Sequence, residues 1–229
     1  MITVVRKDFD KHKLLATKFK KDFKIRASSN FQEIVMTNAK QRLLFNENSQ
    51  FTSGLFLFKM VRNDIDNYIE ENGYVEPLQI LPVNYINKEY NLKDKTIGVD
   101  LNHAYWRVAF LKGYITEKTY LKGLGSDKYK PIRLSALSTL GRSKTYDVYE
   151  KGEFVLQEVS KPNQDLIDLY NDIRYTTFSI MKEISDILKE DFYCWKTDCV
   201  YFKDLKRNRK IVSEILEDYD LPYKFEEAI

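Results

Sequence analysis

Cysteine is nearly absent from this chain of 229 residues: Cys194 and Cys199 are the only two. A C-x4-C pair around a turn could close one bridge, but it is no disulfide framework, and a reducing compartment is the simpler expectation. With just two histidines in the chain, the C-x4-C pair does not make the spacing of a zinc site. Glycine and proline are scarce, at 8 and 5, which excludes long flexible linkers and low-complexity segments. No apolar run approaches the length of a membrane span, so no membrane partner is expected. Met1-Ile2-Thr3-Val4-Val5 runs at once into charge, so no signal peptide is expected there. Net charge is also slight: a formal +3 does not imply a nucleic-acid partner by itself.

What is present is an ordinary globular composition, 43% apolar and 31% charged, long enough for one large domain or two small ones. The charge is unevenly spread. Arg6 to Arg26 carries nine Lys and Arg against three Asp, and a second basic run extends from Lys203 to Lys210. Within these runs Lys20, Lys21 and Lys24, and then Lys206, Arg207 and Arg209, are the candidate contacts to a phosphate backbone. The alternative for either run is a solvated helix face.

Hydrophobic periodicity predicts a short strand over residues 2–5 and a basic amphipathic helix from Lys7 to Lys24, with Leu14, Leu15, Phe19 and Phe23 on one face. A second helix is predicted from an Asn30 cap through Leu44, and a third from Leu55 to Glu71, stopped by Asn72-Gly73. Residues 74–95 read as irregular and hold a soft boundary. Beyond it Ile97, Val99 and Leu101 alternate as a strand, and a short helix from His103 to Leu111 follows. Pro131 suits the first turn of a helix that runs to about Leu140 before Gly141. A hairpin is predicted over Tyr146–Val159. A long helix from Asn163 to Lys189 has apolar positions at the 3.6-residue period, and a closing hairpin pairs Phe192–Trp195 with Cys199–Phe202. The expected fold class is α+β: an antiparallel sheet with acids at its edge and helices on one face, over residues 96–229. A basic, mainly helical region over residues 1–95 precedes it.

Three segments of the second half carry chemistry. Two aspartates end strand-like runs: Asp100 in Gly98-Val99-Asp100-Leu101-Asn102-His103-Ala104-Tyr105, and Asp198 in Cys194-Trp195-Lys196-Thr197-Asp198-Cys199. Between them lies the basic helix Arg133-Leu134-Ser135-Ala136-Leu137-Ser138-Thr139-Leu140-Gly141. In this order the segments resemble the three palm motifs of family B DNA polymerases, D-x-x-S-L-Y-P, K-x-x-x-N-S-x-Y-G and Y-x-D-T-D-S. The long helix before the third motif also matches, and the resemblance spans about Thr96 to Phe202.

The resemblance implies a polymerase-type palm with a very short fingers segment. It implies metal-dependent nucleotidyl transfer by a minimal, phage or mobile-element type DNA polymerase in a bacterial cytoplasm. Asp100 and Asp198 would be the catalytic carboxylates holding two Mg²⁺ (or Mn²⁺) ions, with the Leu101 carbonyl as a further ligand. Two hard cations about 3.5–4 Å apart suit in-line phosphoryl chemistry, and the triphosphate supplies the remaining oxygens. Arg133 stands where the family has a triphosphate-binding lysine, and a guanidinium fork can clamp phosphate oxygens. Tyr105 stands where the family's sugar-sensing tyrosine sits. The partners implied are primer-template or single-stranded DNA and nucleoside triphosphates, with other replication proteins or a second polymerase fragment.

The departures from the pattern are concrete. Lys196 replaces the first acid of D-T-D, so it faces the carboxylates either as a neutralising partner of Asp198 or as a phosphate contact. Leu137 and Leu140 replace the polar Asn and Tyr of the second motif. These substitutions keep a second expectation in play: a non-catalytic palm relic acting as a nucleic-acid-binding or replisome-assembly subunit.

Overall fold

The computed structural model describes residues 2–4, 9–27, 32–37, 41–45, 49–79, 81–91 and 94–227. Arg6 and Lys7 of the basic stretch and the expected cap Asn30 lie outside them. In chain order the elements begin with β1 (Ile2–Val4), α1 (Phe9–Lys18), β2 (Phe23–Ala27), β3 (Gln32–Met36), β4 (Gln41–Phe45), α2 (Ser49–Asn72), β5 (Asn84–Ile86) and β6 (Thr96–Leu101). They continue with α3 (Ala104–Leu111), α4 (Glu117–Leu124), α5 (Lys130–Ser138), β7 (Thr145–Glu150) and β8 (Glu153–Val159). The last are α6 (Gln164–Leu188), β9 (Phe192–Lys196), β10 (Cys199–Lys203), α7 (Lys206–Asp218) and β11 (Tyr223–Glu227). The chain is a mixed α+β protein that divides into two compact units, residues 1–60 with 125–167 and residues 61–124 with 168–229. The soft boundary read at 74–95 falls inside the second unit.

The first unit is built on a six-stranded sheet of order β1-β4-β3-β2-β7-β8, antiparallel except where β1 runs parallel to β4. Register aligns Ile25 with Ile34 and Ile34 with Leu43, so one face gathers apolar side chains across three strands. Phe23, Ile25, Ile34 and Ala16 form the buried cluster, bordered by Phe9, Met36, Leu43 and Tyr149. Phe23 stacks on Tyr149 at 4.6 Å between ring centroids. Burying Phe23, Ile25 and Ile34 contributes about 1.5–3 kcal/mol each.

Two helix expectations are corrected here. Within the stretch expected to be helical from Asn30 to Leu44, the described residues form the strands β3 and β4. Its β-branched Ile34 and Val35 find cross-strand partners, and such pairing overrides a weak helical period. The N-terminal helix stops at Lys18, and Lys20 then takes a left-handed φ of 49° before the chain extends as β2. Its expected apolar face is mostly exposed, with Leu14 at 67% and Phe19 at 63%; Ala16 is the residue buried instead. The region expected to be mainly helical therefore supplies four strands of a sheet. By contrast α2 ends at Asn72, and α3, α5, the β7–β8 hairpin, α6 and the β9–β10 hairpin all fall within a few residues of their expected spans. The end of α5 depends on Gly141, whose φ is +70° and whose added Cβ would meet the Asn163 carbonyl at 2.3 Å. Only glycine fits that turn.

The second unit is built on a five-stranded, wholly antiparallel sheet of order β11-β6-β10-β9-β5. Period-two alternation divides its faces. Ile97, Val99, Leu101, Val200 and Phe202 are buried on one face. The apolar stripes of α3, α6 and α7 supply the rest of this core, including Trp106, Ile173, Phe178, Met181 and Val212. The other face carries Asp100, Lys196, Cys199, Tyr201, Lys224 and Glu226, none of them fully buried. No helix among the described residues is long and apolar enough to cross a membrane.

Candidate functional site

The site is assembled by register on that open face. Asp100 on β6 lies opposite Cys199 on β10, Cys199 lies opposite Lys196 on β9, and Lys196 lies opposite Asn84 on β5. On the other side Asp100 lies opposite Lys224 on β11. One cross-strand row therefore reads Asn84, Lys196, Cys199, Asp100, Lys224. The next row reads Ile86, Cys194, Tyr201, Gly98, Glu226. At Gly98 the Tyr201 ring lies over the strand, 3.0 Å from where a Cβ would stand.

Asp198 sits in the two-residue turn that joins β9 to β10, directly beyond this row. The Leu101 N–H donates to the Asp198 carbonyl at 2.9 Å, which holds the turn against the end of β6. Asp100 near the end of β6 and Asp198 in the β9–β10 turn thus lie at the same end of the sheet. Leu101 is the last residue of β6, so its carbonyl lies at this end of the sheet.

Both chain segments at this end carry strain. Thr197 has a φ of 59° in the turn before Asp198, and His103 has a φ of 59° just after β6. A left-handed backbone costs about 1–2 kcal/mol for residues other than glycine, and such outliers gather where geometry is over-determined. The determining bonds are present. The Thr197 N–H reaches the Val83 carbonyl at 3.1 Å and Asn84 Oδ1 at 3.3 Å, and the Asn102 N–H reaches the Pro222 carbonyl at 2.8 Å.

The thiols on this face are spectators. Burial pushes the Cys194 thiol up to about 11, with the neighbouring Cys199 adding to it. Burial also raises Cys199; a Tyr201 hydrogen bond opposes this, and the charges of Asp100, Glu226 and Asp198 reinforce it. Both cysteines are free, and as neutral thiols they do not compete for a hard cation. The oxygen donors that register brings to this end of the sheet are the two carboxylates and the Leu101 carbonyl, a set suited to Mg²⁺. Among the described residues no group of three or more His, Cys, Asp or Glu could hold a metal. An ion here would draw its other ligands from water and phosphate.

Tyr105, in the first turn of α3, is half-buried between two rings of α6, Tyr170 and Phe178, each 6.3 Å away and edge-on. Burial pushes its hydroxyl up to about 12, Tyr170 and Asp198 add to the shift, and Arg174 opposes it. Tyr105 therefore lies within electrostatic range of Asp198. Lys196 is exposed, and no ion pair engages it among the described residues.

Arg133 belongs to the first unit, on the same face of α5 as Leu137 and with Leu140 just beyond; all three are buried, Arg133 at 4% exposure. Of the basic candidates, Lys20 and Lys21 are exposed and Lys24 pairs with Glu158. Arg207 pairs with Asp191 at 2.7 Å and Arg209 with Asp204 at 2.6 Å, so much of the second run is neutralised by the protein's own carboxylates; Lys206 remains exposed.

Two residues escaped the sequence reading. Lys224 stands opposite Asp100, and its Nζ meets Glu226 at 3.2 Å. Arg174 lies over the Tyr170 and Phe178 rings at 5.9 and 5.8 Å. Neither belongs to a motif; only the pairing of β11 with β6, and the facing of α6 toward α3, brings them to the site. Comparison with protein-family models, curated proteins and solved structures finds no match.

Proposed function

We propose that this protein carries out metal-dependent nucleotidyl transfer on DNA, as a minimal family B-like polymerase palm. The observation that carries the proposal is the register that sets Asp100 beside the Asp198 turn, joined by the hydrogen bond from Leu101 to Asp198. The residues flanking each aspartate are the ones that resemble the family motifs, and they fall on a strand end and a hairpin turn.

Asp100, Asp198 and the Leu101 carbonyl would hold the ions. When bound, two Mg²⁺ ions supply Lewis-acid activation of the primer hydroxyl and neutralise charge on the triphosphate. Asp100, fixed by strand register, and Asp198, in the turn beside the strained Thr197, would orient that centre. The Tyr105 ring, clamped against Tyr170 and Phe178, offers a rigid platform for the sugar. The resemblance also gives a triphosphate contact to Arg133, which lies on α5 of the first unit with its side chain buried.

The test is primer extension with Mg²⁺ or Mn²⁺ and deoxynucleotides. Asp100→Asn and Asp198→Asn should each abolish incorporation and leave thermal stability nearly unchanged. The double variant should be no worse than either alone, because both serve one centre. Full incorporation by either single variant sinks the assignment.

A second reading has one observation in its favour. Lys196 and Lys224 bracket Asp100 in a single row on the open face, an arrangement that also suits a phosphate backbone without catalysis. A DNA-binding relic would bind single strands equally well in EDTA and show no incorporation under any condition.

A further inference from the structure

Among the described residues, Arg174 is a guanidinium without the carboxylate partner that its chemistry calls for. It projects from the middle of α6, half-buried, and lies over the faces of Tyr170 and Phe178 at 5.9 and 5.8 Å. Among the described residues no carboxylate pairs with it and no hydrogen bond uses its N–H groups. A partly desolvated charge left unpaired is costly, and the two ring contacts return only about 0.5–2 kcal/mol each. Its neighbour across the helix interface is Tyr105, which packs on the same two rings and feels the charges of both Asp198 and Arg174. The guanidinium therefore lies beside two rings that also hold Tyr105, and among the described residues no acceptor meets its donors. That is the geometry that binds a tetrahedral phosphate through two parallel N–H···O bonds, at little further entropic cost.

We infer that Arg174 is a phosphate-binding residue of this site, and that the phosphate it takes is one of the incoming nucleoside triphosphate. The inference rests on the nucleotidyl-transfer reading for the identity of the ligand, though not for the presence of an anion site. Arg174 complements the carboxylates: they hold the cationic side of the centre, and it meets the anionic side.

The test is made in EDTA, so it does not depend on metal. Inorganic triphosphate and a deoxynucleoside triphosphate are titrated by calorimetry into the full chain and into Arg174→Gln and Arg174→Lys. Binding of a short single-stranded DNA is followed in parallel across a salt series. Triphosphate affinity should fall at least tenfold in Arg174→Gln, about 1.4 kcal/mol. It should fall less in Arg174→Lys, which keeps the charge and loses the fork, and DNA affinity should be unchanged in both. A loss confined to DNA, with the log–log salt slope flattened by about 0.7, keeps Arg174 as a phosphate residue and assigns it to the nucleic-acid backbone. Unchanged binding of both ligands, or a parent protein that binds neither, overturns the proposal and leaves Arg174 as a packing residue. Should Arg174→Gln fail to fold, Arg174→Lys carries the comparison. Triphosphate binding that depends on Arg174 in a protein that never incorporates nucleotide refutes the polymerase reading and leaves the anion site standing.

Discussion

Reversing the charge of Lys196 should tighten metal binding at Asp100 and Asp198 by an amount that the sheet geometry sets. Lys196 and Asp100 are two strands apart in one row, so their backbones are about 10 Å from each other. Two unit charges about 10 Å apart interact by about 0.4 kcal/mol in water. The change Lys196→Asp alters the charge by two and the ion carries two, which gives about 1.7 kcal/mol without salt. A Debye length of about 8–10 Å cuts that to about 0.6 kcal/mol at physiological ionic strength. The dissociation constant for Mg²⁺ or Mn²⁺ should therefore drop roughly threefold to fifteenfold, and more at low salt than at high. Lys196→Gln removes one charge rather than two and should give half the change on the free-energy scale. Calorimetric titration at two ionic strengths measures both. A gain above roughly a hundredfold, insensitive to salt, would mean that the Lys196 ammonium occupies the ion's own position, so that the field argument is wrong. No change at all would place the ammonium out in solvent and remove Lys196 from both readings of the site.

Three further outcomes are expected. Tyr105→Ala should raise the ratio of kcat/KM for ribonucleotides over deoxynucleotides by about tenfold, or about 1.4 kcal/mol; a fixed ratio with lowered thermal stability would make Tyr105 a packing residue of α3 and α6. Charge reversal at the exposed Lys20 and Lys21 should flatten the log–log salt dependence of single-strand binding by about 0.7 for each lysine that neutralises a phosphate, and an unchanged slope would return that stretch to a solvated face. Asp191→Asn should cost about 1–3 kcal/mol near neutral pH in urea denaturation. Burial acts to raise the Asp191 carboxyl, but hydrogen bonds from Arg207 and Asn208 outweigh it and hold the group below its ordinary 3.8. Because the folded value is the lower one, this stabilisation is complete above about pH 4 and fades as pH falls through the folded value. The two proteins should converge in acid, and a gap that persists there would refute the pairing.

The chain's own pattern determined the second unit's site-bearing elements. Ile97, Val99 and Leu101 alternate because one face of β6 is buried. The long apolar period of α6 and the short apolar runs around Thr197-Asp198 are equally local signals, and the structure has α6 and the β9–β10 hairpin where those signals point. The two aspartates could be paired on paper because each ends such an element. Local pattern failed between Asn30 and Leu44, where residues compatible with a helix became β3 and β4. There the deciding interaction is the pairing of β3 with β2, a strand outside the window that sets a helical period. Local pattern also failed to anticipate β11, whose Tyr223-Lys224-Phe225 becomes a strand by pairing with β6, about 120 residues earlier in the chain.

What tertiary structure alone decided is which charges face the aspartates. Lys224 meets Asp100 through strand register, and a slip of one residue would turn it to the other face. Arg174 shares ring neighbours with Tyr105 only because α6 packs its Tyr170 and Phe178 against α3. Nothing in the sequence marks that arginine among the chain's 37 basic residues. Residue type and period are written locally, so elements and candidate acids can be read from the chain. Cross-strand neighbours and helix-to-helix contacts depend on long-range register, which only the packed core selects.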